Sequence, residues 1–275
     1  MDAKPATERP VEGEELVEKV RERYGRIAEG AASGCCGLLE QPVSLEIGYA
    51  RKDLEALPKE VDLGLGCGAP IASLGLRPGE TVLDLGSGPG LDALLAAKAV
   101  GPAGRVIGVD MTPAMLERAR RNVESAGLKH VEFRQGRLEA LPVADASVDA
   151  VTSNCVINLV PDKAAVFREI ARVLRPGGRL VVSDIVLDGR LPPALERDLL
   201  AWVGCVAGAV ERQAYLGLIA QAGLGDVEVL KDVDYLAGLA NAAPEEARAI
   251  LERTGTSFDE VRGKVRSLTF RALKR

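Results

Sequence analysis

The chain has 275 residues, 47% apolar and 27% charged, with aromatics at only 3% and a formal net charge of −5. That length holds one large α/β domain plus an appendage. An acidic balance without basic runs excludes a nucleic-acid groove, because a phosphate backbone is gripped by Lys and Arg; a small-molecule substrate is expected. No apolar stretch approaches the roughly 20 residues that a membrane span needs. The polar, acidic start MDAKPATERPVEGEE lacks the basic and apolar regions of a signal peptide. The chain is therefore expected to be cytoplasmic, where Cys35, Cys36, Cys67, Cys155 and Cys205 rest as thiols.

Residues 1–11 carry Pro5 and Pro10 with little to bury, which predicts disorder. Apolar residues at Leu16, Val17, Val20, Tyr24 and Ile27 predict a helix over 12–31. Gly30, Gly34 and Gly37 then open an irregular stretch carrying Cys35 and Cys36, and 38–70 reads as loop with one short helix near 51–57. From residue 78 strands and helices alternate: strands at 81–85, 105–109, 130–135, 148–153 and 179–184, helices at 91–100, 113–126 and 163–174. Such alternation predicts a parallel sheet with right-handed crossovers. Beyond it, helices are expected at 193–203, 212–222 and 245–253, a strand at 226–233, and an antiparallel strand at 267–274. The expected division is a helix and cysteine-bearing loop segment at 1–70, a cofactor-binding core at 71–187, and a cap at 188–275.

The strongest motif is VLDLGSGPG, from Val82 to Gly90, followed by Asp110 at the end of the next strand. Glycines between a first strand and a helix let a ligand lie against bare backbone. An acidic residue closing the second strand can accept the hydroxyls of a ribose. The two together describe a nucleoside site. The spacing is GxGxG with Asp84 just before it, whereas a dinucleotide pyrophosphate asks for GxGxxG; NAD is the second choice. The turn resembles the class I methyltransferase signature, as do GRLEALPV at Gly136–Val143, DAVTSN at Asp149–Asn154 and LRPGGRL at Leu174–Leu180. That resemblance implies a Rossmann-like α/β fold: a mostly parallel seven-stranded sheet with helices on both faces, an N-terminal helical lid and a C-terminal α+β cap. It also implies S-adenosylmethionine bound by Asp84, Gly86, Ser87, Gly88 and Gly90 of the turn, with Asp84 near its ammonium group. Asp110, Met111, Leu138, Glu139 and Asn154 complete the implied cofactor set.

The acceptor is less directly written. The single histidine, His130, opens a strand beside Lys129 and reads as a solvent-facing strand end, so no base for a proton-bearing acceptor stands out. The cysteines stand out instead. Cys155 lies in SNCVINL just beyond the fourth strand, Cys67 in GLGCG upstream of the core, and Cys205 in WVGCVAGA after the fifth strand. Each alone also fits a small buried hydrophobe. Their spacing excludes the short CxxC pairs of a zinc ribbon, so a three-thiol site would be assembled from distant loops.

Taken in order, Tyr24-Gly25, Cys35-Cys36, Gly66-Cys67-Gly68, DLGSG, GVDMT, SNCVINL, Pro161-Asp162-Lys163 and the run from Trp202 to Ala209 resemble the arsenite methyltransferases. The resemblance implies that Cys67, Cys155 and Cys205 hold trivalent arsenic, a soft thiophilic centre, supplied as arsenite or its thiol conjugate. Its remaining lone pair would attack the methyl group with no general base. It further implies a redox partner, Cys36 or its neighbour Cys35, forming a disulfide with Cys67 that thioredoxin or glutathione reopens. Two alternatives remain at this stage: a methyltransferase of a small organic acceptor such as a quinone or sterol, and a non-enzymatic arsenic or metal sensor on the same fold. Arsenite added to the reduced protein is expected to quench Trp202 fluorescence, since that indole lies three residues from Cys205. No response at stoichiometric arsenite would count against the thiol site.

Overall fold

The structure, a computed structural model, describes residues 13–31, 42–196, 198, 208–237 and 244–275. The N-terminal segment contributes α1 (Gly13–Ala28), α2 (Pro42–Ile47) and α3 (Arg51–Glu55), with 3-10 turns at Lys59–Val61 and Pro70–Ser73. The core follows as β1 (Thr81–Leu85), α4 (Leu91–Val100), β2 (Arg105–Asp110), α5 (Pro113–Ser125), β3 (Val131–Gln135), β4 (Val148–Asn154), α6 (Lys163–Val173) and β5 (Leu174–Leu187). The remainder is α7 (Pro193–Glu196), α8 (Arg212–Gln221), β6 (Leu224–Asp234), α9 (Pro244–Thr254), α10 (Phe258–Val261) and β7 (Val265–Lys274). The seven strands form one sheet in the order β3-β2-β1-β4-β5-β7-β6, with β7 antiparallel to both neighbours. This is the Rossmann-like arrangement that the sequence predicts. No described helix is long and apolar enough to cross a membrane.

Strand alternation sorts the core into two layers. Leu83, Ile107, Val151 and Leu180 face one side, where Phe167 and Ile170 of α6 and Tyr215 and Ile219 of α8 cover them. Val82, Val106, Ala150 and Val181 face the other, covered by Ala93, Ala96, Ala97 and Val100 of α4. The small alanines let α4 lie close against the sheet. Asp84 lies two residues along from Val82 and so projects toward α4, the first step in building the site. Strand order reverses between β2-β1 and β4, which opens a crevice at the carboxyl ends of β1, β2 and β4.

Several expectations shift. Residues 42–73 hold two short helices and two 3-10 turns where mostly loop is predicted, because Pro42 and Pro70 stand at the first helical position, which suits a ring with fixed φ. The fifth strand runs longer than 179–184. Leu174 pairs with Val148 ahead of the Gly177-Gly178 turn, and the far end continues to Leu187 opposite Val265. The helix expected at 193–203 is described only over Pro193–Glu196, and the disordered reading of 1–11 falls outside the described residues.

Arg179 joins the sheet to the loop before β1: it donates to the Gly75 carbonyl at 2.8 Å, the Leu74 carbonyl at 2.5 Å and both Glu80 oxygens at 2.9 and 2.7 Å. These Arg179 hydrogen bonds lower the Glu80 pKa. Arg179→Met is expected to cost about 2 kcal/mol in a urea melt at pH 7. A carboxylate lowered on folding stabilises the fold above its unfolded value and loses that contribution as pH falls through its folded one. The gap between wild type and variant should therefore narrow at pH 3.

Candidate active site

A cavity opens at the carboxyl edge of β1, β2 and β4, roofed by Val17, Val20 and Tyr24 of α1. Its floor is the turn after β1. Gly86 has φ 63°, and a Cβ there would lie 2.4 Å from Val156 Cγ2, so only glycine fits. Gly88 has φ 50° and meets nothing within 4 Å, leaving bare backbone toward the cavity. Asp110 accepts from the Gly88 amide at 2.9 Å and the Thr112 amide at 2.8 Å, fixing the turn to the end of β2. Asp84 Oδ2 and Ser87 Oγ line this cavity, buried and without a hydrogen-bond partner among the described residues. Buried polar atoms rarely stay unpaired; two of them facing one cavity ask for a polar ligand.

Charge sharpens that requirement. Asp84 is 3% exposed, and burial, followed by the charges of Asp92 and Asp110, raises its pKa well above the ordinary carboxylate range. Burial pushes Asp92 up to about 7, against hydrogen bonds from Tyr49 and Asn154 that pull it down. Asp110 is raised by burial and restrained by the Thr112 and Gly88 amides. Of the lining side chains Arg137 brings a cation, and it is shared between Glu139 at 2.9 Å and Glu14 at 2.6 Å.

At the cavity wall two thiols meet. Cys155 directly follows β4, with φ 57°, a left-handed conformation costing a non-glycine residue roughly 1–2 kcal/mol. Its amide is held at 2.8 Å by the Ser183 carbonyl. Cys67 arrives from the upstream loop: its amide donates to Asn154 Oδ1 at 3.1 Å, and Asn154 Nδ2 donates to the Gly68 carbonyl at 2.7 Å and Tyr49 Oη at 2.9 Å. The flanking glycines permit this approach, since a Cβ at Gly66 would lie 2.8 Å from Asn154 Nδ2 and one at Gly68 would lie 2.5 Å from Ser183 Oγ. The two buried sulfurs and an Asp184 oxygen lie within 4.8 Å of one another. Asp184 accepts from the Asn158 and Ile185 amides, Asn158 Nδ2 and Tyr215 Oη. Burial raises its pKa to about 6, and these donors with Lys163 hold it down.

A methyltransferase domain family model matches residues 76–223, more than half of the chain. An arsenite methyltransferase of Halobacterium salinarum is 46% identical over 231 residues, spanning 78% of this chain and 59% of its own length. One from Aquipseudomonas alcaligenes is 36% identical, spanning 78% and 64%. The crystal structure of an arsenic(III) S-adenosylmethionine methyltransferase from Chlamydomonas reinhardtii superposes with a TM-score of 0.59 at 33% identity, covering 84% of this chain and 72% of that one. This chain belongs to the arsenite methyltransferase family. It spans about three fifths of the length of the curated family members it matches.

Within this arsenite methyltransferase frame, Asp84, Gly86, Ser87, Gly88, Asp110, Met111, Leu138, Glu139 and Asn154 all line the cavity. Gly90 does not; it starts α4 at φ 96°, where a Cβ would press Leu94 and Phe133 at 3.1 Å. Cys67 and Cys155 come together, while Cys35, Cys36 and Cys205 lie outside the described residues. His130 contacts the Ala97 carbonyl at 3.0 Å, before β3 and so at the sheet's opposite edge. Sequence reasoning passes over Tyr49, Asp92, Asp184 and Tyr215. Asp92 alone carries a local signal, two residues past the glycine turn. With Cys35, Cys36 and Cys205 replaced by Ser, the remaining pair is expected to bind phenylarsine oxide, which takes two thiols, one to one. Gly66→Ala should weaken that binding about ten-fold, because an added Cβ drives the loop off Asn154; unchanged affinity would show that the loop does not set the thiol spacing.

Proposed function

We propose that this chain methylates trivalent arsenic held by Cys67, Cys155 and Cys205, using S-adenosylmethionine, and so detoxifies arsenite. The observation carrying the proposal is the approach of two buried thiols from distant loops at the end of a cavity with unpaired buried acceptors. The family membership supports the choice of arsenic over an organic acceptor. When bound, S-adenosylmethionine supplies an electrophilic methyl group on a sulfonium. Asp84 takes the ammonium group, Asp110 accepts from the ribose, and Leu138 with Glu139 borders the adenine. Gly86, Ser87, Gly88, Met111 and Asn154, which line the cavity, would hold the rest of the ligand.

Three thiolates leave arsenic one lone pair. That pair would form the As–C bond as the methyl C–S bond breaks and its electron pair passes to sulfur; arsenic would become formally pentavalent, and no proton need be removed, which suits a site whose lone histidine is elsewhere. The protein supplies position: Asn154 holds the Cys67 backbone, and the Ser183 carbonyl holds that of Cys155. Cys36, or Cys35, then attacks the Cys67 sulfur. An S–S bond forms, the As–S electron pair returns to arsenic, and trivalent arsenic is restored. Thioredoxin or glutathione reopens the disulfide, which requires a reducing setting such as the cytoplasm. Residues 1–70 serve as a lid bringing Cys67, 71–187 as the cofactor core, and 188–275 as the cap bringing Cys205.

Mass-spectrometric speciation of products, with S-adenosylmethionine, arsenite and thioredoxin supplied, is expected to show methylated arsenic. Cys155→Ser and Cys205→Ser should each lose it at least 100-fold, as a removed ligand misplaces the lone pair. Cys36→Ser should still methylate substrate that is already monomethylated. Full arsenite turnover by Cys155→Ser would refute the site.

A further inference from the structure

The cavity is lined by more buried carboxyl groups than the ammonium and ribose of the proposed ligand would use. The proposed function gives Asp84 the one and Asp110 the other, which leaves Asp92, the second residue of α4, buried and lining the cavity. Asp92 Oδ1 accepts from Tyr49 Oη at 2.8 Å, Tyr49 Oη accepts from Asn154 at 2.9 Å, and Asn154 clasps the Cys67 loop. Asp92 thus stands two hydrogen bonds from the side chain that positions a thiol. It lies on the Asn154 side of the cavity, toward the thiols to which the proposed function carries the methyl group. Arg137, the lining cation, is already paired with Glu14 and Glu139. Asp84 and Ser87 line the same cavity, and Asp84 Oδ2 and Ser87 Oγ have no hydrogen-bond partner among the described residues.

We propose that Asp92 is the specificity determinant that separates the sulfonium cofactor from its thioether product, favouring the former and releasing the latter. S-Adenosylmethionine carries one net positive charge, with the ammonium and carboxylate cancelling. Transfer forms the acceptor–carbon bond, breaks the carbon–sulfur bond, and returns that bond's electron pair to sulfur. S-Adenosylhomocysteine is therefore neutral overall. A carboxylate in a poorly solvated wall attracts a full positive charge far more than it would in water, and it loses that attraction once sulfur is neutral. Burial raises Asp92 to about 7, and a cation beside it favours the charged carboxylate. The contact exists in the ground state and fades in the transition state, so it acts on binding and product release without accelerating methyl transfer.

The inference rests on the S-adenosylmethionine part of the proposed function, not on the acceptor. Isothermal titration calorimetry of the full chain with each ligand, without arsenic, tests it. The ratio of the S-adenosylhomocysteine to the S-adenosylmethionine dissociation constant is expected to fall about ten-fold or more in Asp92→Asn. Asp92→Ser provides the same neutral wall if the amide variant does not fold. Asp92→Glu keeps a carboxylate at this position and should hold the ratio within about three-fold of wild type, which separates lost charge from a disturbed pocket. A ratio unchanged in a folded neutral variant, or an equal fall in Asp92→Glu, overturns the inference. Failure of the wild type to bind S-adenosylmethionine would instead overturn the proposed function.

Discussion

The site depends on one side-chain amide. Asn154, the last residue of β4, offers its oxygen to the Cys67 amide and its nitrogen to the Gly68 carbonyl and the Tyr49 hydroxyl. An irregular loop from the N-terminal segment is thereby fastened to the central sheet as if it were another strand. Without those bonds the Cys67 amide and the Gly68 carbonyl would lose the partner Asn154 gives them, at about 1–3 kcal/mol each. The same amide supports Tyr49, and through it Asp92. Cofactor wall and thiol pair therefore share a single anchor.

Around that anchor two buried carboxylates behave differently because their donors differ. Asp184 receives four donors plus the nearby Lys163, and its charge is held with a pKa of about 6 despite full burial. Its neighbour Tyr215 is packed edge-on between Phe167 and Phe270, so its hydroxyl has little freedom to turn away. Asp84, by contrast, keeps an oxygen with no protein partner, facing the cavity. A saturated carboxylate is architecture, and an unsaturated one waits for a ligand. The contrast follows from counting hydrogen bonds rather than from residue type.

The strained backbone lies at the thiols too. Cys155 adopts a left-handed conformation, and the glycines on either side of Cys67 permit approaches that a Cβ would block. Its neighbours Ser183 and Asn154 are fixed in paired strands, so the loops must bend to the sheet. Strain of this kind persists where surrounding structure over-determines it. The apolar packing of Cys67 and Cys155 with Leu16, Val20, Ile185 and Val265 supplies that surrounding structure from both chain ends.

The sequence by itself determined the alternating core, because apolar runs between glycine turns leave few other arrangements for a parallel sheet. It also determined the cofactor turn: Gly86, Gly88 and Asp110 act within one strand–turn–helix unit and its neighbour, so their spacing carries their geometry. The tertiary structure alone decided which distant groups meet. Tyr49 reaches Asp92, and Cys67 reaches Cys155, across separations that no local pattern encodes; their contacts arise from the crevice where strand order reverses and from hydrogen bonds made at β4's end. It also decided that Gly90 packs against Leu94 and Phe133 outside the cavity lining, and that Asp92 lies in the cavity wall. Burial and charge on a side chain are properties of its neighbours, and those neighbours come from other parts of the chain.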